Sequence, residues 1–492
     1  MIIFAVLLIP AIAGFSSFFL RNYYARRVLL VAAAAVHSIL TATMWIWRPG
    51  PVLEGWLQVD GLGLVFLSIV SCLFLAASVY AVSYLSREQP GVRPDFEESV
   101  LFVNEPEAVF VGCLLLFQTM MSLVTLSHNF GLMWVAVEAT TLSSAPLIYF
   151  HRHHRSLEAT WKYLLICSVG IALALLGTFF LAYAASGNQI TEVPLVVDKL
   201  IANSGSLQVT WLKVAFLFML VGYGTKMGLA PLHSWLPDAH SEAPSVVSAL
   251  LSGALLNCAF LGILRMTQVL DAAGSGEFAR SLLLVFGLLS VVFATAFIIG
   301  QFDYKRMLAY SSIEHMGIMA VGVGLGGIGT FGAMLHAVNH SLTKGMMFLV
   351  AGNILTRYRT KSTKMITGVL DTLPKSGVLW MAGLFAITGM PPFGLFQSEL
   401  AIIRAAFDSG QIFAAVLLLS ALGIIFVGMA CIVLNMVFGT SQKHTDNPNF
   451  RESLASVLPP AVLGIVILIL GVYIPTALKD LLMEAAKLVG GR

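Results

Sequence analysis

Runs of 18 to 25 apolar residues, parted by short polar segments, recur along the whole chain. At ~1.5 Å per residue each run is long enough to cross the ~30 Å hydrocarbon layer of a bilayer as a helix. The pattern predicts fourteen spans, near residues 2–20, 28–47, 61–85, 108–127, 129–149, 160–185, 210–235, 245–269, 280–299, 306–325, 328–356, 376–405, 411–438 and 456–478. The longest polar segments are Ser86 to Glu107, Ser186 to Gln208, Arg357 to Lys375 and Ser441 to Ser453, and none has room for a soluble catalytic domain. The expectation is an all-α polytopic membrane protein forming a single domain over 1–492. Within it lie N-terminal helices 1–3 (1–107), a first group of helices 4–8 (108–269), a second group of helices 9–13 (280–438) and a last helix (456–478).

Two of these spans are interrupted. In the seventh, the stretch from Gly224 to Ser245 carries Lys226 in an apolar run, Pro231 and Pro237, and a crowd of His233, Asp238, His240 and Glu242. In the twelfth, Gly389-Met-Pro-Pro-Phe-Gly394 breaks the pattern just before Glu399. Interrupted spans in corresponding positions point to paired repeats, each supplying one discontinuous helix to a site near the membrane midplane. Because the second break lies five helices after the first, and five is odd, the two repeats must be inverted. Two ordinary proline kinks would be simpler, but a buried ammonium and a carboxyl beside them are too costly in hydrocarbon to be idle.

Composition agrees with a membrane solvent: 58% of residues are hydrophobic and 11% charged, with mean hydropathy +0.88. The net charge of +3 is dispersed and indicates no nucleic-acid partner. Five cysteines, each in an apolar run and without CxxC spacing, read as small buried hydrophobes and not as metal ligands or disulfides. The first apolar run precedes its positive residues, the order of a retained first helix and not of a cleaved signal peptide. Of the 28 Lys and Arg residues, seventeen lie in or beside loops that follow odd-numbered helices, Lys443 among them, and nine, including Arg492, on the other side. Lys226 and Lys344 fall inside spans. This bias places the odd loops in the cytoplasm and both termini outside.

The titratable residues within spans are the candidate chemistry. Glu138 stands about ten residues into the fifth helix, near mid-bilayer, where a partner such as Lys226 would let both stay charged until a passing proton separates them. His336, His340 and Lys344, at i, i+4 and i+8, drift only ~40° per step and form one polar stripe suited to proton relay. A His-xxx-His metal site on that stripe is the weaker alternative, since no carboxylate shares its local face. Glu314 and His315 form a further titratable pair within a span, suited either to linking the two breaks or to interhelical hydrogen bonding. The run His151-Arg-His-His-Arg155 looks metal-like but falls on the basic side and reads as a topology anchor.

Several motifs carry a family resemblance: His233 to Ser245 (HSWLPDAHSEAPS), Ser248 to Gly253 (SALLSG), Lys305 to Ser312 (KRMLAYSS) and His340 to Gly345 (HSLTKG). With them the chain resembles the antiporter-like, proton-translocating subunits of respiratory complex I and group 4 membrane-bound hydrogenases, across roughly helices three to thirteen. Trp134 to Leu142 and Leu157 to Tyr163 look more like the hydrogenase branch. The resemblance implies an ion pair of Glu138 and Lys226, a central transfer lysine at Lys344 and an exit-side group at Glu399. It also implies fourteen helices in inverted five-helix repeats. Many relatives have a lysine in the eighth helix where this chain has Asn257, so the link from Lys226 to the centre must use His233, His315 or water. Asp238 and Glu314 are secondary candidates.

The sequence thus suggests a proton-conducting subunit of an inner-membrane redox complex, partnered by other membrane subunits and a peripheral redox arm, with no cofactor or metal motif of its own. A cation/proton antiporter module and, from another class, a metal-dependent membrane enzyme on His336 and His340 are the alternatives. The charge bias makes the topology testable. A cysteine placed at Ser362, in the loop after helix eleven, should be labelled only from the cytoplasmic side, and periplasmic labelling would reject the assignment.

Overall fold

The computed structural model describes residues 1–88, 91–94, 101–186, 194–439 and 451–490, so Lys443 and Arg492 lie outside the described residues. Among the described residues the helices make fourteen crossings: Ile2–Phe19, Tyr23–Ile46, Gly61–Arg87, Glu107–Leu126, Phe130–Ile148, His154–Ser186, a broken seventh, Ser245–Ala272, Gly276–Ile298, Tyr304–Leu325, Gly327–Tyr358, a broken twelfth, Ile412–Val437 and Leu454–Val472. The seventh consists of Val209–Met227 and Trp235–Glu242, the twelfth of Pro374–Ile387 and Gly394–Asp408. Eleven of these are continuous helices long and apolar enough to cross a membrane by themselves. The three that are not are the seventh, eleventh and twelfth, which hold Lys226, Lys344 and Glu399.

The loops sort by parity. Strand-like bridges join Leu57 to Ser127 and Asn129 to Val196, tying the loops after helices two, four and six. On the opposite face Asn104 bridges His151 and Asp303 bridges Ser362, tying the loops after three and five and those after nine and eleven. Helices four to eight therefore start from one face and nine to thirteen from the other, the inverted arrangement that the five-helix spacing requires.

Local sequence explains the boundaries. Asn129 accepts the N–H of Leu132 at 3.0 Å and caps the fifth span, which separates it from the fourth within three residues. The last span stops at Val472, short of the expected 478, because Pro475 excludes helix from the residue before it; a separate helix, Thr476–Leu488, follows. Its Glu484 pairs with Arg48 in the loop after the second span, at 2.5 and 2.8 Å. Among the described residues the only strands are Val92–Pro94 and Leu101–Val103, an antiparallel pair in the loop after the third span that the helical pattern did not predict.

The eighth span is the pillar of the bundle: its apolar stretch is 100% buried, against 33% for the thirteenth. Near its middle Leu251–Leu255 form a π-helical turn, and a side chain at Gly253 would lie 2.5 Å from Leu73 Cδ1 and 3.0 Å from the Ser341 carbonyl, so the third and eleventh spans approach it closely here. At its end Arg265 is fully buried and held bidentate by Asp60, at 2.6 and 2.8 Å, while His128 Nε2 accepts from the same guanidinium at 3.0 Å. Asp60 also accepts the N–H of Gly63 at 2.8 Å and so caps the third span. Burial alone would raise the Asp60 carboxyl; the charge and hydrogen bonds of Arg265, with His128, reverse this and hold it far below the usual carboxylate range.

Two outcomes follow for this pair. Asp60→Ala leaves a guanidinium buried without its counter-charge and should cost ~3–5 kcal/mol, whereas Asp60→Leu with Arg265→Met removes both charges and should lie closer to wild type in thermal unfolding in detergent. A depressed carboxylate contributes stability above its unfolded pKa of ~3.9 and loses it as pH falls further. The destabilisation by Asp60→Ala should therefore be full at neutral pH and shrink below pH ~4, and an unchanged difference there would contradict this account.

Candidate proton path

Lys226 lies in the last turn of Val209–Met227, completely buried. The helix must end there: Gly228 takes φ 84° in the left-handed region, where a side chain would also strike Leu236 Cδ1 at 2.5 Å. The unwound backbone is satisfied by protein. Trp235 Nε1 donates to the Thr225 carbonyl at 2.9 Å, and the N–H of Ala230 donates to Ser290 Oγ of the ninth span at 2.9 Å. The exposed carbonyl end of a helix favours a cation by ~0.3–1 kcal/mol, which suits an ammonium at this position.

The expected direct pair of Lys226 with Glu138 is not made. Lys226 Nζ donates to Thr141 Oγ1 and to the Tyr163 hydroxyl, both at 2.7 Å, and Thr141 Oγ1 in turn donates to Glu138 Oε2 at 3.3 Å. Glu138 Oε1 accepts from Ser168 at 2.9 Å. One threonine, a single helical turn from the glutamate, stands between the two charges. Glu138 is only half-buried, beside the exposed Val135 and Leu142, so it opens to the side of the bundle while Lys226 sits within it.

At the centre, Lys344 Nζ donates to the Leu308 carbonyl at 2.6 Å and to Ser311 Oγ, both on the tenth span. His315 Nδ1 and His336 Nε2 are hydrogen-bonded at 3.0 Å, and His336 Nδ1 lies 3.0 Å from Ser398 Oγ in the second half of the twelfth span. His340 packs its ring 5.1 Å from that of His315, and neither of its nitrogens has a hydrogen-bond partner. Glu314 is buried with its Oε2 unpartnered. Glu399 is 5% exposed, with its Oε1 unpartnered. The second break makes room for it: Gly389 has φ 62°, and a Cβ there would fall on the Glu399 carboxylate. Asn339 Nδ2 donates to the Gly394 carbonyl at 2.8 Å and fixes the lip of the break.

The remaining expected residues divide. Asn257 donates to the Gly253 carbonyl at 2.9 Å and to Ser341 Oγ at 2.7 Å, joining the π turn to the eleventh span but offering no titratable group. His233 faces the ring of Phe293 at 5.8 Å and makes no hydrogen bond to Lys226 or Lys344. Asp238 is engaged by Lys162 at 2.9 Å and by Arg306, and lies in an ion-pair cluster on the odd-loop face and not on the line between the lysines. His151 bonds Asn104 and Tyr84 at 2.9 and 3.0 Å, in keeping with an anchoring role.

His240, which the sequence marks only as one of the crowd at the first break, takes a central place in the geometry. It is fully buried, its ring lies 6.2 Å from Trp235 and 5.7 Å from Phe348, and Trp235 lies 5.0 Å from Tyr163. Its Nδ1–H donates to the Leu236 carbonyl at 2.8 Å, which leaves Nε2 free to accept. It therefore stands between the Tyr163 that holds Lys226 and the eleventh span that holds Lys344. Its place, seven residues after His233 in the same broken stretch, was the available signal. Lys305 was missed: buried, it donates to the carbonyls of Ser241 and Ala243 at 2.9 and 2.6 Å and closes the end of the short helix Trp235–Glu242.

Comparison with known proteins agrees with this architecture. A family model described as NADH:quinone oxidoreductase/Mrp antiporter, TM, matches residues 127–426. The chain is 37% identical over 426 residues to the hydrogenase-4 component F homolog of Methylacidiphilum infernorum, covering 85% of each. It is 27% identical over 470 residues to an Na(+)/H(+) antiporter subunit of Alkalihalophilus pseudofirmus, covering 89% of this chain but only about half (55%) of that one. In fold it matches a chain of the membrane-bound sulfane sulfur reductase, an archaeal respiratory membrane complex, with TM-score 0.87 and 21% identity over 99% of this chain and 97% of that one. The family model takes in both breaks, every crossing from the fifth to the twelfth and part of the thirteenth, and the chain belongs to the NADH:quinone oxidoreductase/Mrp antiporter transmembrane family.

Proposed function

We propose that this chain is the proton-translocating subunit of a hydrogenase-4-like or complex I-like assembly in the inner membrane, with electron transfer in a peripheral redox arm as its driving reaction. The supporting observation is the line of buried polar groups from the half-buried Glu138, through Thr141, Lys226 and Tyr163, towards His240, His340 and Lys344, and on through His315 and His336 to Glu399. A proton arriving at Glu138 cancels the negative charge that Thr141 relays to Lys226. The ammonium, left in a dry setting with only neutral oxygens, then gives its proton inward. Imidazoles pass it on, since each can accept on one nitrogen and donate from the other. Glu399, at the second break, delivers it towards the far face. The odd loops face the cytoplasm in this reading.

The relationship to an Na(+)/H(+) antiporter protein supports a second reading, cation/proton exchange on the same residues. Sodium-dependent proton movement in vesicles, without redox turnover, would favour it.

Lys226→Arg keeps the charge but cannot release a proton, because guanidinium does not deprotonate in proteins. With the partners assembled and redox turnover intact, Lys226→Arg and Lys226→Ala should abolish pH-gradient formation in inverted vesicles. Thr141→Val, which breaks the bridge alone, should lower it several-fold. Glu138→Gln should match Lys226→Ala, and the double variant should be little worse than either. Normal gradients with Lys226→Arg would make this lysine structural.

At the second break the charge of Glu399 should matter more than its size. Glu399→Gln should cut translocation strongly while Glu399→Asp keeps a good part of it, and equal gradients from wild type and the Gln variant would remove Glu399 from the path.

A further inference from the structure

The spacing of His336 and His340 in sequence suggested a metal pair only weakly, because no carboxylate shared their face. The fold supplies one from another helix. His315, His336 and Glu399, from the tenth, eleventh and twelfth spans, are all buried, and one donor atom of each lies within 4.8 Å of the others. We propose that these three side chains form a binding site for a divalent transition-metal ion of the zinc type. Such an ion would occupy the exit leg of the path and block it.

The donor set suits the ion. Two imidazole nitrogens and a carboxylate are common zinc ligands, and at Zn–N of ~2.0–2.1 Å tetrahedral neighbours sit roughly 3.3 Å apart. His315 Nδ1 and His336 Nε2 are already 3.0 Å apart, and all three donor atoms lie within 4.8 Å of one another. Orientation is also provided. His336 reaches Ser398 Oγ with its other nitrogen, the kind of outer hydrogen bond that presents Nε2 to a metal. Glu399 Oε1 has no hydrogen-bond partner, and a zinc held by three protein ligands keeps its fourth position for water. The Lys344 ammonium is held by the Leu308 carbonyl and by Ser311, which lies one helical turn before His315, so a bound cation would have that charge about a turn away.

Occupancy would convert a proton relay into a plug. A bound His315 or His336 has its lone pair on the metal and can no longer accept a proton, and the Glu399 carboxylate is taken out of exchange. The binding itself does not depend on the proposed function; the blocking does.

The test is zinc titration of the purified full-length chain in detergent, with metal content and affinity measured by equilibrium dialysis and coordination by X-ray absorption. Wild type should bind one zinc with two imidazole scatterers. Ser398→Ala should weaken binding ~10-fold, as loss of an outer hydrogen bond does, and His336→Gln, His315→Gln and Glu399→Gln should each weaken it more. Because a single variant could misfold, the three ligand variants are compared at equal thermal stability. No stoichiometric zinc in wild type, or equal affinity in all three ligand variants and wild type, overturns the site. Binding with undiminished pH-gradient formation upholds the site and counts against the path through it.

Discussion

A charge or an unpaired backbone group inside the bilayer has only protein to turn to, and that constraint organises this molecule. Lys226 has Thr141 and Tyr163, Lys344 has a carbonyl and a serine, and Arg265 has a bidentate aspartate. In each broken helix a freed group is met from a different span: Ser290 for the first break, Asn339 for the second. Everything apolar around them exists to keep lipid and bulk water out, so that the few oxygens present act in a low-dielectric setting.

The short helix Trp235–Glu242, which follows the seven-residue interruption after Met227, is held from several sides. Lys305 closes the carbonyl end of Trp235–Glu242, Lys361 pairs with Glu242 at 2.6 Å, and Asp238 is shared by Lys162 and Arg306. These cations come from the sixth and tenth spans and the loop after the eleventh. The short helix is therefore a keystone between the two repeats, and His240 on it is placed with the precision of a side chain in a rigid element and not of one in a loop.

Much of this was legible in the chain. Span number, both breaks and their inversion followed from the period of apolar runs and the Gly/Pro interruptions, because a membrane leaves a chain so few options. Lys226, Lys344 and Glu399 stood out because charged groups are rare in such runs. What sequence could not give was which side chains meet across helices. Thr141 between Glu138 and Lys226 looks like any small residue of a packed helix, and the meeting of His315 with His336 joins residues on separate spans. Arg265, Asp60 and His128 were hidden for another reason: each lies at a span end, where a charge is unremarkable until burial is known.

The order in which partners occur along the chain bears on how such a protein can be built. A lysine at the centre of a lone helix resists insertion by ~2.5–3.5 kcal/mol, and the seventh, eleventh and twelfth crossings are the ones too polar or too interrupted to enter lipid alone. Yet Thr141 and Tyr163 precede Lys226, Leu308 and Ser311 precede Lys344, and His315 and His336 precede Glu399. As the ribosome delivers each of the two lysines, the groups that will solvate it are already in the membrane, and the twelfth crossing arrives to find the two histidines that Glu399 will stand beside. The eleventh crossing has its solvating carbonyl on the helix made immediately before it, so the two can enter as one hairpin.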